Sequence, residues 1–332
     1  MKALVTGASG FTGGYMVRNL LEHGYAVRAF VRPQSVLSAL QHLPIEFAYG
    51  DLQNERQVLD AVDGVDAVFH IAALYRAANV PDSAYWAVNV TGTANLLKAA
   101  HAVGVHRFLH CSTCGVHGDI KNPPADENAP IEPEDIYQTT KYEGEKLAHH
   151  YHANFGLPVT VVRPVGIYGP GDTRMLKLYR SIQKQRFMMF GGGQVLYHLT
   201  YVTDTVEGFR LAAENEKAVG QTYIIAGESH TTLKAFANMV AEELGVRPPQ
   251  WKPPVWPLEI AAQVCEKICV PLRLQPPIYP RRVHIFTHDR AFDISKAKRE
   301  LGYAPHVGMK EGVHRTANWY IEKGHLNMRK KA

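Results

Sequence analysis

The chain has 332 residues, a mass of 37.0 kDa and a formal charge of +5. With 46% hydrophobic and 20% charged residues it has the composition of a globular protein with a substantial core, which excludes disordered and collagen-like classes. No apolar run reaches the ~20 residues of a membrane span, and the dense basic run Arg329-Lys330-Lys331 reads as a solvated tail, so neither a spanning protein nor a nucleic-acid partner is expected.

Met1-Lys2 runs straight into Ala3-Leu4-Val5, an apolar run that reads as a buried strand. That leaves no place for a signal peptide, and a cytoplasmic location is expected. The strand is followed by Thr6-Gly7-Ala8-Ser9-Gly10-Phe11-Thr12-Gly13 and then by a helical pattern through Leu20-Leu21. A glycine-rich turn between strand and helix lets backbone N–H groups approach a pyrophosphate, which the helix N-terminus also attracts. Gly7, Gly10, Phe11, Thr12 and Gly13 are therefore candidate dinucleotide contacts; a plain tight turn is the other reading.

Ala26 to Val31 is the second strand and completes a βαβ unit. An acid at its end would hold the ribose 2′-hydroxyl of NAD, whereas an arginine accommodates the 2′-phosphate of NADP. The sequence reads Phe30-Val31-Arg32-Pro33, with Arg28 just upstream and no acid, which favours NADP over NAD and makes Arg32 a candidate contact. The third strand, Ile45 to Tyr49, leads into Gly50-Asp51-Leu52. Asp51 either reaches the adenine, with Leu52 beside it, or caps the next helix.

A fourth strand, Ala67 to Ile71, closes on Ala72-Ala73, small residues that leave room for a flat ligand. A helix through Asn89 to Leu97 and a fifth strand, Arg107 to His110, follow. Strands alternating with helices on this scale predict an α/β fold with a doubly wound parallel sheet, the Rossmann fold. Cys111-x-x-Cys114 lies at a strand end rather than a helix start, and Cys265 and Cys269 have helical spacing, so reduced thiols are expected. His149-His150-x-His152 is the densest histidine cluster, and no metal is expected there or elsewhere.

Tyr137 and Lys141 stand four positions apart, one above the other on a helix face. An ammonium near a phenol favours the phenolate and suits proton exchange with a substrate oxygen near neutral pH. Here the chain resembles the extended short-chain dehydrogenase/reductase family. The resemblance rests on Thr6-Gly7-x-x-Gly10-x-x-Gly13, the hydroxyl after the fifth strand, Tyr137-x-x-x-Lys141, and Arg163-Pro164-x-x-Ile167-Tyr168-Gly169-Pro170. It extends to the C-terminal Phe292 to Ala297 and Leu301-Gly302-Tyr303-x-Pro305.

The resemblance implies that Tyr137 is the catalytic acid/base and that Lys141 binds the nicotinamide ribose. It makes Thr113 the catalytic hydroxyl, with Ser112 as the alternative, and His117 takes the place of the tyrosine in the family's Val-Tyr-Gly triplet. Asn89 is either a relay member or a packing residue, and Pro164 lies in the cofactor set. The family also implies a homodimer through helices near 85–102 and 136–153.

After Val159 to Arg163, Pro164 and Tyr168-Gly169-Pro170-Gly171 mark departure into a second lobe. The expected division is residues 1–165 for the dinucleotide and 166–332 for a small-molecule substrate, with 200–226 docking back on the first part. Met175 to Gln185 reads as a helix and Gly191-Gly192-Gly193 as a turn. Residues 251–280 turn rich in Pro, Trp and aliphatics, including Trp251, Trp256, Pro271, Pro276-Pro277 and Pro280. They read as a packed connection, an apolar lid or a membrane-surface contact. Thr113 is followed by Cys114-Gly115 rather than the Asp-Glu of sugar dehydratases, and Gln194 to Thr200 lacks the arginine of many epimerases. The leading expectation is an NADP-preferring oxidoreductase acting between a secondary alcohol and a ketone on an apolar small molecule. A nucleotide-sugar 4-epimerase with tightly bound NAD is second, and a non-catalytic dinucleotide sensor third.

Overall fold

A computed structural model describes residues 1–75, 80–269 and 278–327; the tail at Arg329 to Lys331 and Pro271, Pro276 and Pro277 lie outside them. In chain order the first six strands are β1 (Lys2–Thr6), β2 (Ala26–Val31), β3 (Glu46–Tyr49), β4 (Ala67–His70), β5 (Arg107–Cys111) and β6 (Val159–Pro164). Short strands β7 (Gly166–Tyr168), β8 (Leu196–Tyr197) and β9 (Leu199–Tyr201) precede β10 (Thr222–Ile225) and β11 (Thr231–Thr232). The main sheet runs β10-β6-β5-β4-β1-β2-β3, and each adjacent pair is parallel. Both β4 and β6 are buried along their whole length, as parallel strands covered on both faces must be. The chain builds outward from β1 to β3, then returns to place β4 on the other side of β1. Loops leaving β1 and β4 therefore part in opposite directions and open a crevice at the strand C-termini.

The helices are α1 (Phe11–Glu22), α2 (Glu55–Val62), α3 (Asp82–Trp86), α4 (Gly92–Val103), α5 (Ile136–Phe155), α6 (Leu176–Gln183) and α7 (Val202–Glu214). They continue with α8 (Leu233–Glu243), α9 (Trp256–Cys269), α10 (Pro280–Val283), α11 (Ser295–Leu301) and α12 (Met309–Glu322). One sheet face packs on α1, α7 and α11 through residues such as Val17, Phe209 and Ala297, the other on α2, α4 and α5 through Val58, Leu97 and Ala148. A third core unites α6, α8 and α12, where the buried rings of Tyr179 and Tyr320 lie 5.1 Å apart.

Local chemistry explains the helix starts. Asn54 caps α2 by accepting from Arg56 and Gln57 N–H, so Asp51 is not the cap; its Oδ1 accepts from Gln53 N–H at 2.9 Å. Asp135 caps α5, accepting from Gln138 N–H at 2.8 Å. The helix expected through Asn89 to Leu97 is present; it begins within a wider π turn, Ala87–Thr91, that runs directly into α4 at Gly92. Within 251–280, α9 is largely exposed and buries only Ala262, with α10 packed beside it.

Candidate active site

A cavity of about 580 Å³ opens where β1, β4, β5 and β6 end. Gly7, Gly10, Phe11, Thr12, Gly13, Arg32, Asp51, Leu52, Ala72, Ala73, Thr113, Tyr137 and Pro164 line it, which brings together all the predicted residues except Lys141. Lys141 is buried one helical turn below Tyr137 on α5.

The glycine loop is shaped by close backbone approach. Gly7 adopts φ +73°, and a Cβ there would lie 2.8 Å from Ala72 N; one on Gly13 would lie 2.1 Å from the Gly7 carbonyl. Larger residues at 7, 13 or 72 would close the crevice between β1 and β4. Gly10 is the N-cap of α1 and offers no side-chain oxygen to the first-turn N–H groups, which face the cavity side. The residues present thus fit a dinucleotide: a tight backbone cradle, a helix N-terminus for the pyrophosphate and small side chains beside it.

The two arginines of β2 and its end part company. Arg28 is tied to Glu46 Oε1 at 2.8 Å and to the Ala61 and Asp63 carbonyls, away from the cavity. Arg32 is exposed at the cavity rim.

Tyr137 is the second residue of α5, and its ring meets that of Tyr75 edge-on at 4.9 Å. Burial pushes the Lys141 ammonium below the usual lysine range, partly offset by Cys111 and Glu145. Thr113 is half-buried in the cavity wall and accepts from Gly115 N–H at 3.0 Å. The Ser112 hydroxyl is buried with no hydrogen-bond partner among the described residues. His117 turns away from the cavity: Pro130 O and the Arg163 guanidinium hold its two ring nitrogens.

Asn89 bonds the Leu74 backbone through both amide atoms and donates to Thr140 Oγ1 at 3.0 Å. These contacts fix the loop after β4 to α5. Sequence reading missed the adjoining network. Thr6 Oγ1 lies 2.8 Å from His70 Nδ1, and His70 Nε2 lies 2.9 Å from Thr93 Oγ1. Burial, with help from Lys141, pushes His70 down to about 3, so the ring is neutral. Only the register that pairs Thr6 with His70 across β1 and β4 joins them, and no local pattern marks it.

Also missed was the wall facing Tyr137, built from Tyr75, Arg174, His198, Arg290 and Phe292. Arg174 donates to Asp172 Oδ1 and Ile167 O, both at 2.7 Å, and its guanidinium lies 5.5 Å from the rings of Phe11 and Tyr75. His198 Nδ1 accepts from Phe292 N–H at 3.2 Å, leaving Nε2 to donate to Gly227 O; burial lowers this histidine to about 4.

The four cysteines are free; burial raises the Cys111 thiol to about 11 and holds the Cys114 thiol well above the ordinary thiol range. The histidine cluster on α5 does not converge: His149 bonds Thr222 and His152 bonds Leu157 O. Instead Glu134 is bracketed by His284 at 3.2 Å and His288 at 2.6 Å. Burial works against this carboxylate, but the two histidines outweigh it and hold Glu134 well below the usual range. That contact ties the segment before α5 to the segment carrying Arg290 and Phe292. Among the described residues no helix is long and apolar enough to cross a membrane.

The sequence model of the NAD dependent epimerase/dehydratase family matches residues 3–226. The chain is 33% identical to the 3beta-hydroxysteroid-dehydrogenase/decarboxylase isoform 1 of Arabidopsis thaliana over 94% of its own length and 78% of the relative's. It is 32% identical to the 3 beta-hydroxysteroid dehydrogenase/Delta 5-->4-isomerase of Mycobacterium tuberculosis, covering 96% of this chain and 90% of that one. The crystal structure of gox2253 superposes with a TM-score of 0.84 at 31% identity, over 98% of this chain and 99% of the other.

Proposed function

The chain belongs to the NAD dependent epimerase/dehydratase family, and within it we propose an NADP-preferring oxidoreductase that interconverts a secondary alcohol and a ketone on a small, fairly apolar molecule. One observation carries the reading: Tyr137 at the cavity wall stands one helical turn above buried Lys141, with the Thr113 hydroxyl in the same cavity. In the reductive direction Tyr137 gives its phenolic proton to the substrate oxygen, and in the oxidative direction the phenolate takes it back. The Lys141 ammonium favours the phenolate and holds the ribose. Thr113, or Ser112 behind it, donates a hydrogen bond to the same oxygen. A nicotinamide bound in the crevice supplies or accepts the hydride.

Arg32 supports the preference for NADP, because an exposed guanidinium at the end of β2 matches a 2′-phosphate. Replacing it by Asp should raise KM for NADPH roughly tenfold to a hundredfold, the worth of one charge-assisted hydrogen bond, and spare NADH. Phe11, Leu74, Tyr75, Val88, Ile167 and Phe292 give the cavity its apolar wall, and the relatives named as hydroxysteroid dehydrogenases act on substrates of that character.

A nucleotide-sugar 4-epimerase is the second reading, favoured by Arg174 and Arg290, two cations in the wall that a diphosphate could meet. Against it, Arg174 already neutralises buried Asp172. Purified protein is to be assayed with NADPH and apolar ketones, and separately with UDP-sugars and no added cofactor. Retained NAD with redox-neutral conversion of a UDP-sugar would sink the leading reading. Domain roles follow the same proposal, with residues 1–165 holding the cofactor and 166–332 the substrate. A cytoplasmic homodimer through the outer faces of α4 and α5 completes it.

A further inference from the structure

Fourteen large apolar side chains are exposed among the described residues, and five of them fall between Trp251 and Ile268. Trp256, Ile260, Val264 and Ile268 follow one another at four-residue spacing on α9 and are exposed by 62%, 53%, 48% and 55%. At 3.6 residues per turn that series, with Pro257 and Ala261, covers an arc of about 140° on one side of the helix. The opposite side, with buried Ala262, packs along α10. The broader apolar face of this amphipathic helix is therefore the one turned outward.

The two segments beside it carry one sign of charge. The segments 184–195 and 245–256 are joined by hydrogen bonds from Met189 N–H to Trp251 O at 2.8 Å and from Gly191 N–H to Pro253 O at 3.0 Å. Together they contain Lys184, Arg186, Arg247 and Lys252, all exposed, and no Asp or Glu. Between them Trp251, 73% exposed, stands beside Met188 over an open groove of about 360 Å³. On α9 Lys267 falls within the arc and adds a cation to it, whereas Glu259 and Glu266 lie outside it.

We propose that this face, formed by Trp251, α9 and the cationic segments beside it, docks on an anionic lipid bilayer surface. Tryptophans with a rim of lysine and arginine suit the headgroup boundary: the rings enter the acyl edge while the cations meet lipid phosphates. The depth is that of a helix lying in the interface, since α9 has only 14 residues. The surface also adjoins the site. Val255 packs at Gly191, Phe190 meets Phe286 at 5.4 Å, and the segment from Phe286 continues to Arg290 and Phe292 in the cavity wall. An apolar substrate partitioned in the bilayer would thus be presented beside the cavity mouth.

The test is co-sedimentation of the full chain with phosphatidylcholine vesicles, with and without phosphatidylglycerol, and no substrate or cofactor, so it is read independently of the proposed reaction. Wild type should pellet with the anionic vesicles, weaken with added salt, and bind pure phosphatidylcholine less. Trp251→Ser/Trp256→Ser/Ile260→Ser should lower the partition coefficient at least about tenfold, and Lys184→Glu/Arg186→Glu/Lys252→Glu should remove the phosphatidylglycerol dependence. Unchanged circular dichroism and an unchanged urea midpoint serve as the folding control for both variants. Equal pelleting of wild type and variants, or no pelleting of wild type, overturns the proposal. So does a change of oligomeric state in the serine variant alone, which would make this face a contact between copies of the chain.

Discussion

Glu145→Gln is the sharpest test of how α5 is held. Arg163 on β6 binds the Glu145 carboxylate through both Nε, at 3.1 Å, and Nη2, and the two side chains are only 7% and 2% exposed. Removing the negative charge leaves a guanidinium in the interior, which typically costs ~3–5 kcal/mol. Arg163 keeps neutral partners in His117 Nε2 and the Glu127 carbonyl, so the lower end, about 3 kcal/mol, is expected. Against a total stability of ~5–15 kcal/mol that is a large fraction. Urea unfolding followed by circular dichroism, extrapolated linearly to water, gives the number. A loss below about 1 kcal/mol would refute the claim that the pair is buried and uncompensated. The paired replacement Glu145→Leu/Arg163→Met should recover at least half of the loss, because an apolar pair carries no desolvation cost. Since Glu145 lies one turn beyond Lys141, the single variant should also lower kcat more than it raises KM.

Tyr137→Phe should reduce kcat ~10²–10⁴-fold by removing the proton donor, while the NADPH dissociation constant measured by fluorescence titration changes less than about tenfold, the worth of one hydrogen bond. Gly13→Val should abolish NADPH binding in the same titration and cost roughly 1–3 kcal/mol of stability, because its Cβ would lie 2.1 Å from the Gly7 carbonyl. Acid should destabilise the fold through His70 and His198, lowered to about 3 and about 4 by burial. Their folded pKa values lie below the unfolded value of ~6.5, so the unfolded chain binds more protons in between and stability falls as pH drops through that window. The loss from pH ~7 to ~5 should be about 2 kcal/mol for each buried histidine. His70→Phe should show a flatter urea midpoint against pH; an unchanged slope would mean that His70 is not held neutral.

The strand predicted at 26–31 coincides with β2, and those at 45–49 and 159–163 differ from β3 and β6 by one residue. Strands of this kind are continuous apolar runs between polar turns, so covering both sheet faces leaves a direct trace in the sequence. The cradle and the Tyr137–Lys141 pair were legible for a related reason: each lies within eight residues and works through spacing alone. The π turn at Ala87–Thr91 was not, because no residue type or spacing in it marks the wider turn.

The Thr6–His70 network and the cavity wall opposite Tyr137 had no such trace. Thr6 and His70 are 64 residues apart, and only the β1–β4 register joins them. Phe292 reaches the site because three backbone bonds carry its segment across two others: Ile120 N–H to Asp289 O and Asp293 N–H to Ala125 O on one, and Arg290 N–H to Leu196 O on the second. Asp289 Oδ1 accepts from Leu196 N–H at 2.7 Å, and Asp119 Oδ1 accepts from Asp289 N–H at 2.9 Å, which locks the same crossing. None of these residues is unusual in type or spacing, so no local pattern selects them. On the proposed reading, the proton-transfer chemistry is encoded locally on one helix, whereas substrate choice is encoded in how four distant segments meet. Substitutions at Phe292 or Arg290 should therefore change which ketone is used while leaving Tyr137 and the dinucleotide cradle in place.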